Sequence, residues 1–230
     1  MSPTASRARG ADPVGPAEPP GGPFDALFIG GRRQRLRPGA ILFSEGDVSN
    51  RVALVLEGRL KVSSFTEDGR ETVLGFRRSG DVLGEFTAVD GQPHLANVTA
   101  VEASEVLLVP SDQFLTALQE QPTLALTLLR SVIARLRDAD RKRIEFGAFD
   151  AVGRVSRRLV ELADHYGESS GDGVRIALAI TQSELAGWVG CSREAVNKAL
   201  HRLRDRGLIS IGRGHITVLD LEGLRRRAPG

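Results

Sequence analysis

Between Thr123 and Phe146 the chain runs without one proline or glycine, in a protein that elsewhere uses 26 glycines and 11 prolines. A stretch this long with no breaker, opened by Pro122 where a first helical turn tolerates it, predicts one long helix. Leu129, Val132, Leu136, Ala139 and Arg143 recur at steps of three and four, so they share a face. That face is apolar at Leu129, Val132, Ile133 and Leu136 and turns polar around Asp140, Arg141, Lys142 and Arg143. Either the neighbouring domain or a second copy of the helix can cover it, and Leu129, Val132, Ile133 and Leu136 are the candidate dimer contacts. Within 230 residues such a helix leaves room for a modest domain on either side.

Before the helix, short apolar runs alternate with turn signals: AILF, RVALVL, LKVSSF, TVLGF, ANVTAV and EVLLV, punctuated by Gly46, Gly58, Gly69, Gly80 and Gly91. Regular short strands with Gly/Asp turns predict a compact antiparallel barrel or sandwich. Residues 1–23, rich in Pro, Gly and Ala with little to bury, read as a disordered tail or a regulatory peptide. Ser111 to Gln119 reads as a short helix. The expected organisation is tail 1–23, β domain 24–120, long helix and hinge 121–148, and a further domain 149–230, an α+β chain overall.

After the helix, Val152, Val155, Leu159 and Leu162 restart a helical stripe, and GESSGDG reads as a loop. The most specific signal follows, from Thr181 to Leu219. Thr181 and Glu184 form a capping box, with Leu185 and Trp188 or Val189 turned inward, and Gly190 ends that helix. Ser192 caps a second helix, whose buried stripe is Ala195, Val196, Leu200 and Leu203 while Arg193, Glu194, Asn197, Lys198, His201 and Arg202 point out. LISI, a GRG turn and HITVL then make a two-stranded wing. Two capped helices, a glycine turn and a wing are the winged helix-turn-helix arrangement.

Charge supports that reading locally rather than globally. The whole chain carries a formal +2, too little to imply nucleic acid, but Ser192 to Gly214 holds Arg193, Lys198, Arg202, Arg204, Arg206 and Arg213 against Glu194 and Asp205, a net +4. Thr181, Ser192, Arg193, Glu194, Asn197, Lys198, Arg202 and Arg213 are the candidate contacts to double-stranded DNA. Cys191 is the only cysteine, which excludes a disulfide within the chain and a cysteine-ligated iron–sulfur cluster or zinc site, so neither metal nor cluster is expected. It reads as a small packing residue or a thiol sensor. His94, His165, His201 and His215 are scattered, and no catalytic or metal-ligand spacing accompanies them, so the expectation is not an enzyme. No apolar run spans a membrane and the N-terminus has no signal-peptide core, which makes the cytosol the default location.

GCSREAVNKALHRL and GDVLGEFTAVDGQ, in that relation to a helix of this length, resemble the cyclic-AMP receptor and fumarate-nitrate regulator (Crp/Fnr) family of bacterial transcription factors. The resemblance covers about Phe24 to Leu221. It implies a cyclic-nucleotide-binding β-roll, a long dimerisation helix and a C-terminal winged helix, acting as a homodimer on a palindrome and contacting RNA polymerase. It also implies a TGTGA-like half-site read by Arg193, Glu194 and Lys198. Chemically, Arg193 can fork onto guanine O6 and N7, Glu194 can accept from cytosine N4, and Lys198 can reach guanine or phosphate.

The glycine spacing of Gly80 to Gly91 suits a loop that holds a phosphate, and the resemblance makes Gly84, Glu85, His94, Leu95, Ala139 and Asp140 the effector-pocket positions. Gly84 and Glu85 keep the family's pattern, with Glu85 at the ribose hydroxyl. Four others depart from it: His94 stands where an arginine meets the cyclic phosphate, Leu95 at a serine, and Ala139 and Asp140 at the adenine-binding threonine and serine. Losing the charged fork disfavours cyclic AMP, although a cyclic nucleotide stays open because Asp140 could accept from a guanine edge. His94 reads first as a partly exposed loop histidine, then as a pH-dependent anion ligand or a haem ligand.

Overall fold

The computed structural model describes residues 11–16, 21–176, 180–212 and 215–228. The chain packs as two compact units that divide inside the long helix, one reaching Leu136 and the other running from Arg137 and taking in Phe65–Val73.

The first unit is a β-roll. Its strands are β1 (Ala11–Pro16), β2 (Arg32–Leu36), β3 (Ile41–Phe43), β4 (Arg51–Glu57), β5 (Leu60–Phe65), β6 (Glu71–Arg77, the part from Leu74 on lying in this unit), β7 (Val82–Leu83), β8 (Asn97–Ala100) and β9 (Ser104–Pro110). They form one sheet in the order β1-β2-β9-β4-β7 and another in the order β3-β8-β5-β6. RVALVL and EVLLV are nearly continuous apolar runs because β4 and β9 are buried on both faces. Ala53, Val55, Val106 and Leu108 point into the core shared by the two sheets. Their alternates Val52, Leu54, Leu107 and Val109 point the other way, onto Phe24, Leu27, Phe28, Phe114 and Leu128. That second cluster seats three helical pieces: a 3-10 turn at Asp25–Phe28, α2 (Ser111–Glu120) and the start of α3 (Pro122–Ala148). A short helix, α1 (Glu85–Asp90), follows β7.

The long helix starts at Pro122 as expected. Near its start Leu124 and Leu128 pack on the roll, while Leu129, Ile133 and Leu136 stand on the other side at 52%, 39% and 60% exposure. Val132 is half-buried.

The expected tail needs correcting where it is described. Ala11–Pro16 is a strand, paired antiparallel along β2. An added edge strand needs backbone hydrogen bonds rather than buried side chains, and prolines are tolerated there, so composition could not reveal it. Residues 1–10 and 17–20 lie outside the described residues. RRQRL is a further strand the periodicity missed, because only Gln34 and Leu36 in it are buried, while Arg33 and Arg35 pair across to Glu105 of β9 at 2.7 and 3.0 Å.

The second unit holds α4 (Ala151–Tyr166), β10 (Gly167–Ser170), β11 (Gly173–Ile176), α5 (Gln182–Val189), α6 (Arg193–Asp205), β12 (Ile209–Gly212), β13 (His215–Val218) and α7 (Leu221–Arg227). Asp150 caps α4 by accepting from the Gly153 amide at 2.9 Å. Val152, Val155, Leu159 and Leu162 form its buried stripe, as read from the sequence. GESSGDG, expected as a loop, is instead the hairpin β10–β11, closed by the two-residue turn Gly171-Asp172. The expected wing β12–β13 is present, but within a four-stranded sheet ordered β10-β11-β13-β12.

Candidate nucleic-acid interface and effector pocket

Local chemistry builds the helix-turn-helix as the sequence suggested. The Thr181 side chain accepts from the Glu184 amide at 3.1 Å and the Glu184 carboxylate accepts from the Thr181 amide at 2.9 Å, closing the capping box of α5. Gly190 ends that helix in the left-handed region, φ +70°, and the Gly190 and Cys191 amides both donate to the Ala186 carbonyl. Ser192 then caps α6 by accepting from Ala195 N at 3.2 Å. Behind this turn lies a residue the sequence reading did not single out. Arg154 of α4 donates from Nε to the Val189 carbonyl at 3.0 Å and from Nη1 to the Phe149 carbonyl at 2.6 Å, so the turn is held from the core side.

Val196, Ala199, Leu200 and Leu203 are the buried stripe of α6; Ala195 is only half-buried, and Ala199 takes the place assigned to it. The opposite face starts with Ser192, Arg193, Glu194 and Lys198, all exposed, followed by Arg202; Asn197 is half-buried and Thr181 is exposed. Among the described residues Arg193, Lys198 and Arg202 form no ion pair, so their donors are available. The Glu194 carboxyl is held below its ordinary value, chiefly by its own backbone N–H, then by the Ser192 hydroxyl and the neighbouring Arg193 and Lys198 charges. It is therefore an acceptor at neutral pH. Arg193 and Glu194 in the first turn, with Lys198 one turn after Glu194, put a forked donor, an acceptor and a point cation on one exposed end of a helix. Arg213 lies outside the described residues. Cys191 is half-buried, and burial raises its thiol, which suits packing better than thiolate chemistry.

The pocket positions named from the resemblance lie at the start of α1, on the loop before β8 and on α3. Gly84 has φ +83°, and a Cβ there would meet the Arg51 carbonyl at 2.8 Å and the Phe43 ring at 3.1 Å, so glycine is required. Glu85, at 4% exposure, is paired with Arg135 of α3 at 2.6 Å, and the same guanidinium lies over the Phe86 ring at 5.3 Å. The carboxylate expected at a ribose hydroxyl thus already has a partner, which no local sequence signal pointed out.

The expectation for His94 is corrected. Rather than a partly exposed loop residue, it is buried at 8% exposure, stacked on Phe43 with ring centroids 4.4 Å apart. Its Nδ1 bonds the Thr87 hydroxyl at 3.0 Å and its Nε2 the Ser49 hydroxyl at 2.9 Å. Its backbone pairs with Gly46 and Asp47. Burial pushes the imidazole pKa down, opposed by the Asp47 carboxylate. In this arrangement neither ring nitrogen is left for a phosphate or for iron. Leu95 beside it is 72% exposed. Ala139 and Asp140 are exposed and belong to the other compact unit. Around this pocket, then, Glu85 is ion-paired, both His94 ring nitrogens are hydrogen-bonded to hydroxyls of the roll, and Leu95 is apolar.

Comparison with known proteins places this geometry. Residues 33–121 match the cyclic nucleotide-binding domain family and residues 153–227 match the Crp-like helix-turn-helix domain family. A CRP-like cAMP-activated global transcriptional regulator of Mycobacterium tuberculosis is 31% identical over 190 residues, covering 83% of this chain and 85% of the relative. The global nitrogen regulator of Synechocystis is 30% identical over 179 residues, covering 77% and 80%. The solved structure of FixK2 from Bradyrhizobium japonicum shares the fold, with TM-score 0.75 and 22% identity over 86% of this chain and 97% of that one. On the capped helix-turn-helix, the β-roll and these relatives, the chain belongs to the Crp/Fnr family of bacterial transcription regulators, with a Crp-like helix-turn-helix as its DNA-binding domain.

Proposed function

We propose that the protein acts as a homodimer on a palindrome of TGTGA-like half-sites, with Arg193, Glu194 and Lys198 reading bases and Thr181, Ser192, Asn197, Arg202 and Arg213 holding phosphates or neighbouring bases. The observation that carries this reading is the exposed Arg193–Glu194–Lys198 set at the start of a helix whose entry is fixed by two caps and by Arg154. Supporting the dimer, Leu126, Leu129, Ile133 and Leu136 leave an apolar stripe on α3 with exposures of 39–60%. One recognition helix covers only a few base pairs, and a two-fold pair doubles the contact set. The β-roll on this reading is not a high-affinity cyclic-AMP site, and the protein is a cytosolic regulator that works with RNA polymerase and carries out no catalysis.

A second reading, a conventional cyclic-nucleotide-responsive regulator, is favoured by the likeness to a relative whose name describes it as cAMP-activated. The likeness to the nitrogen regulator is almost as close, so identity alone does not choose an effector.

Selection of duplex DNA from a random library by the full-length protein tests the proposal. The expected outcome is a two-fold symmetric consensus whose half-sites are centred about one helical turn, roughly 10–10.5 base pairs, apart. An asymmetric or single half-site consensus would overturn it.

A further inference from the structure

Arg158 sits in the middle of α4 at 2% exposure, a permanent charge that the recognition surface does not use. Its guanidinium works in two directions. Nη1 donates to both carboxylate oxygens of Glu161 on the next turn of the same helix, and Nη2 donates to Oε2 of Glu145 near the end of α3. Glu145 is itself buried at 6% exposure and has the Nε of Arg157 at 3.6 Å. The Arg158 guanidinium also lies over the Trp188 ring of α5 at 5.6 Å, and Lys142 of α3 lies over the same ring at 5.8 Å. One buried cation therefore ties together the last turns of α3, the core helix α4 and the first helix of the helix-turn-helix. All three belong to the compact unit that begins at Arg137.

A buried ion pair seldom stabilises a fold more than well-packed apolar residues of the same volume would. What it does supply is direction. A guanidinium forked between carboxylates accepts one orientation, whereas an apolar contact lets helices slide and turn against each other. The tie joins α3, which carries the exposed apolar stripe, to α5, whose C-cap leads straight into the recognition helix.

We propose that Arg158 and Glu145 are positioning residues for DNA recognition: their buried fork, with Trp188 against it, fixes the helix-turn-helix on the end of α3 and so sets the separation and rotation of the two recognition helices. The inference rests on the palindrome-reading dimer proposed above. Arg158 keeps Glu161 when Glu145 is removed, so the cation stays paired and only the tie between α3 and α4 is lost.

The test uses full-length protein and the palindrome it selects, with the spacer at its selected length and one base pair shorter or longer. One inserted base pair moves a half-site by about 3.4 Å and turns it by about 35°. The unmodified protein should bind the altered spacers at least about thirtyfold more weakly than the selected one, a penalty of the size of one or two mismatched base pairs. Glu145→Ala, and the similarly sized apolar Glu145→Leu should the alanine variant not fold, should narrow that penalty to about threefold or less while binding an isolated half-site as before. Glu161→Gln removes the partner within α4 but leaves the tie to α3, so it should melt earlier yet keep the full spacing penalty. A folded Glu145 variant that retains the full penalty would overturn the inference. Unmodified protein indifferent to spacing would overturn the dimeric reading itself, and this inference with it.

Discussion

Replacing His94 by alanine should destabilise the β-roll by about 2–4 kcal/mol. The substitution removes two buried side-chain hydrogen bonds, to Thr87 and Ser49, each worth about 0.5–1.5 kcal/mol, and the Phe43 stack, worth a similar amount. Thr87, at 6% exposure, is also left with an unsatisfied hydroxyl. Native-state amide exchange on β4 and β9, the strands buried on both faces, reads the opening of this unit without interference from the other. The same experiment has a pH signature. Burial holds the folded imidazole pKa below the ordinary 6.5, so below that pH the unfolded chain binds a proton that the folded roll resists. Stability from this group is complete above about 6.5 and is lost as the pH falls toward the folded value, at no more than about 1.4 kcal/mol per pH unit. The His94→Ala variant should lose this component, so the gap between wild type and variant should narrow on acidification. A variant within about 0.5 kcal/mol of wild type, with the same pH profile, would refute the structural role assigned to His94.

Arg193→Ala should remove about 1–3 kcal/mol of discrimination at one guanine of each half-site, so that the variant binds the original site and one mutated at that guanine equally well; an undiminished preference would show that another side chain reads the base. Leu136→Asp places a carboxylate on each side of the proposed dimer seam, and because Leu136 is 60% exposed within one chain the subunit should stay folded while the proposed dimer dissociates, which sedimentation would show. An intact dimer would mean that the stripe on α3 is not the contact.

How much was legible depended on how local the signal was. The capping box of α5, the Ser192 cap, the Gly190 turn and the breaker-free run of α3 are each set by residues within a few positions of one another, and the structure has them where the sequence put them. RRQRL and GESSGDG were missed because their pairing is made by backbone and their side chains are largely polar or exposed; the two-residue Gly171-Asp172 turn was a hairpin signal masked by its polar flanks. The burial of His94 was hidden for a different reason: the partners of His94 and Glu85 are Ser49, Thr87 and Arg135, distant in sequence or unremarkable in type. The Arg158 tie has the same character: a charge on the buried side of an amphipathic helix is a visible anomaly, but its partner Glu145 is thirteen residues away on another helix.

The most direct test of the account is the affinity of the full-length protein for its selected palindrome, measured by fluorescence anisotropy with and without cyclic AMP. With His94 in place of a charged fork and both its ring nitrogens bonded internally, and with Leu95 apolar beside it, no cyclic-AMP affinity tighter than about 100 micromolar is expected, which corresponds to roughly −5 to −6 kcal/mol. Affinity for the palindrome should therefore be unchanged by micromolar cyclic AMP. Binding that appears only on adding micromolar cyclic AMP, or tightens at least about tenfold with it, would contradict the account and make the protein a conventional cyclic-nucleotide switch.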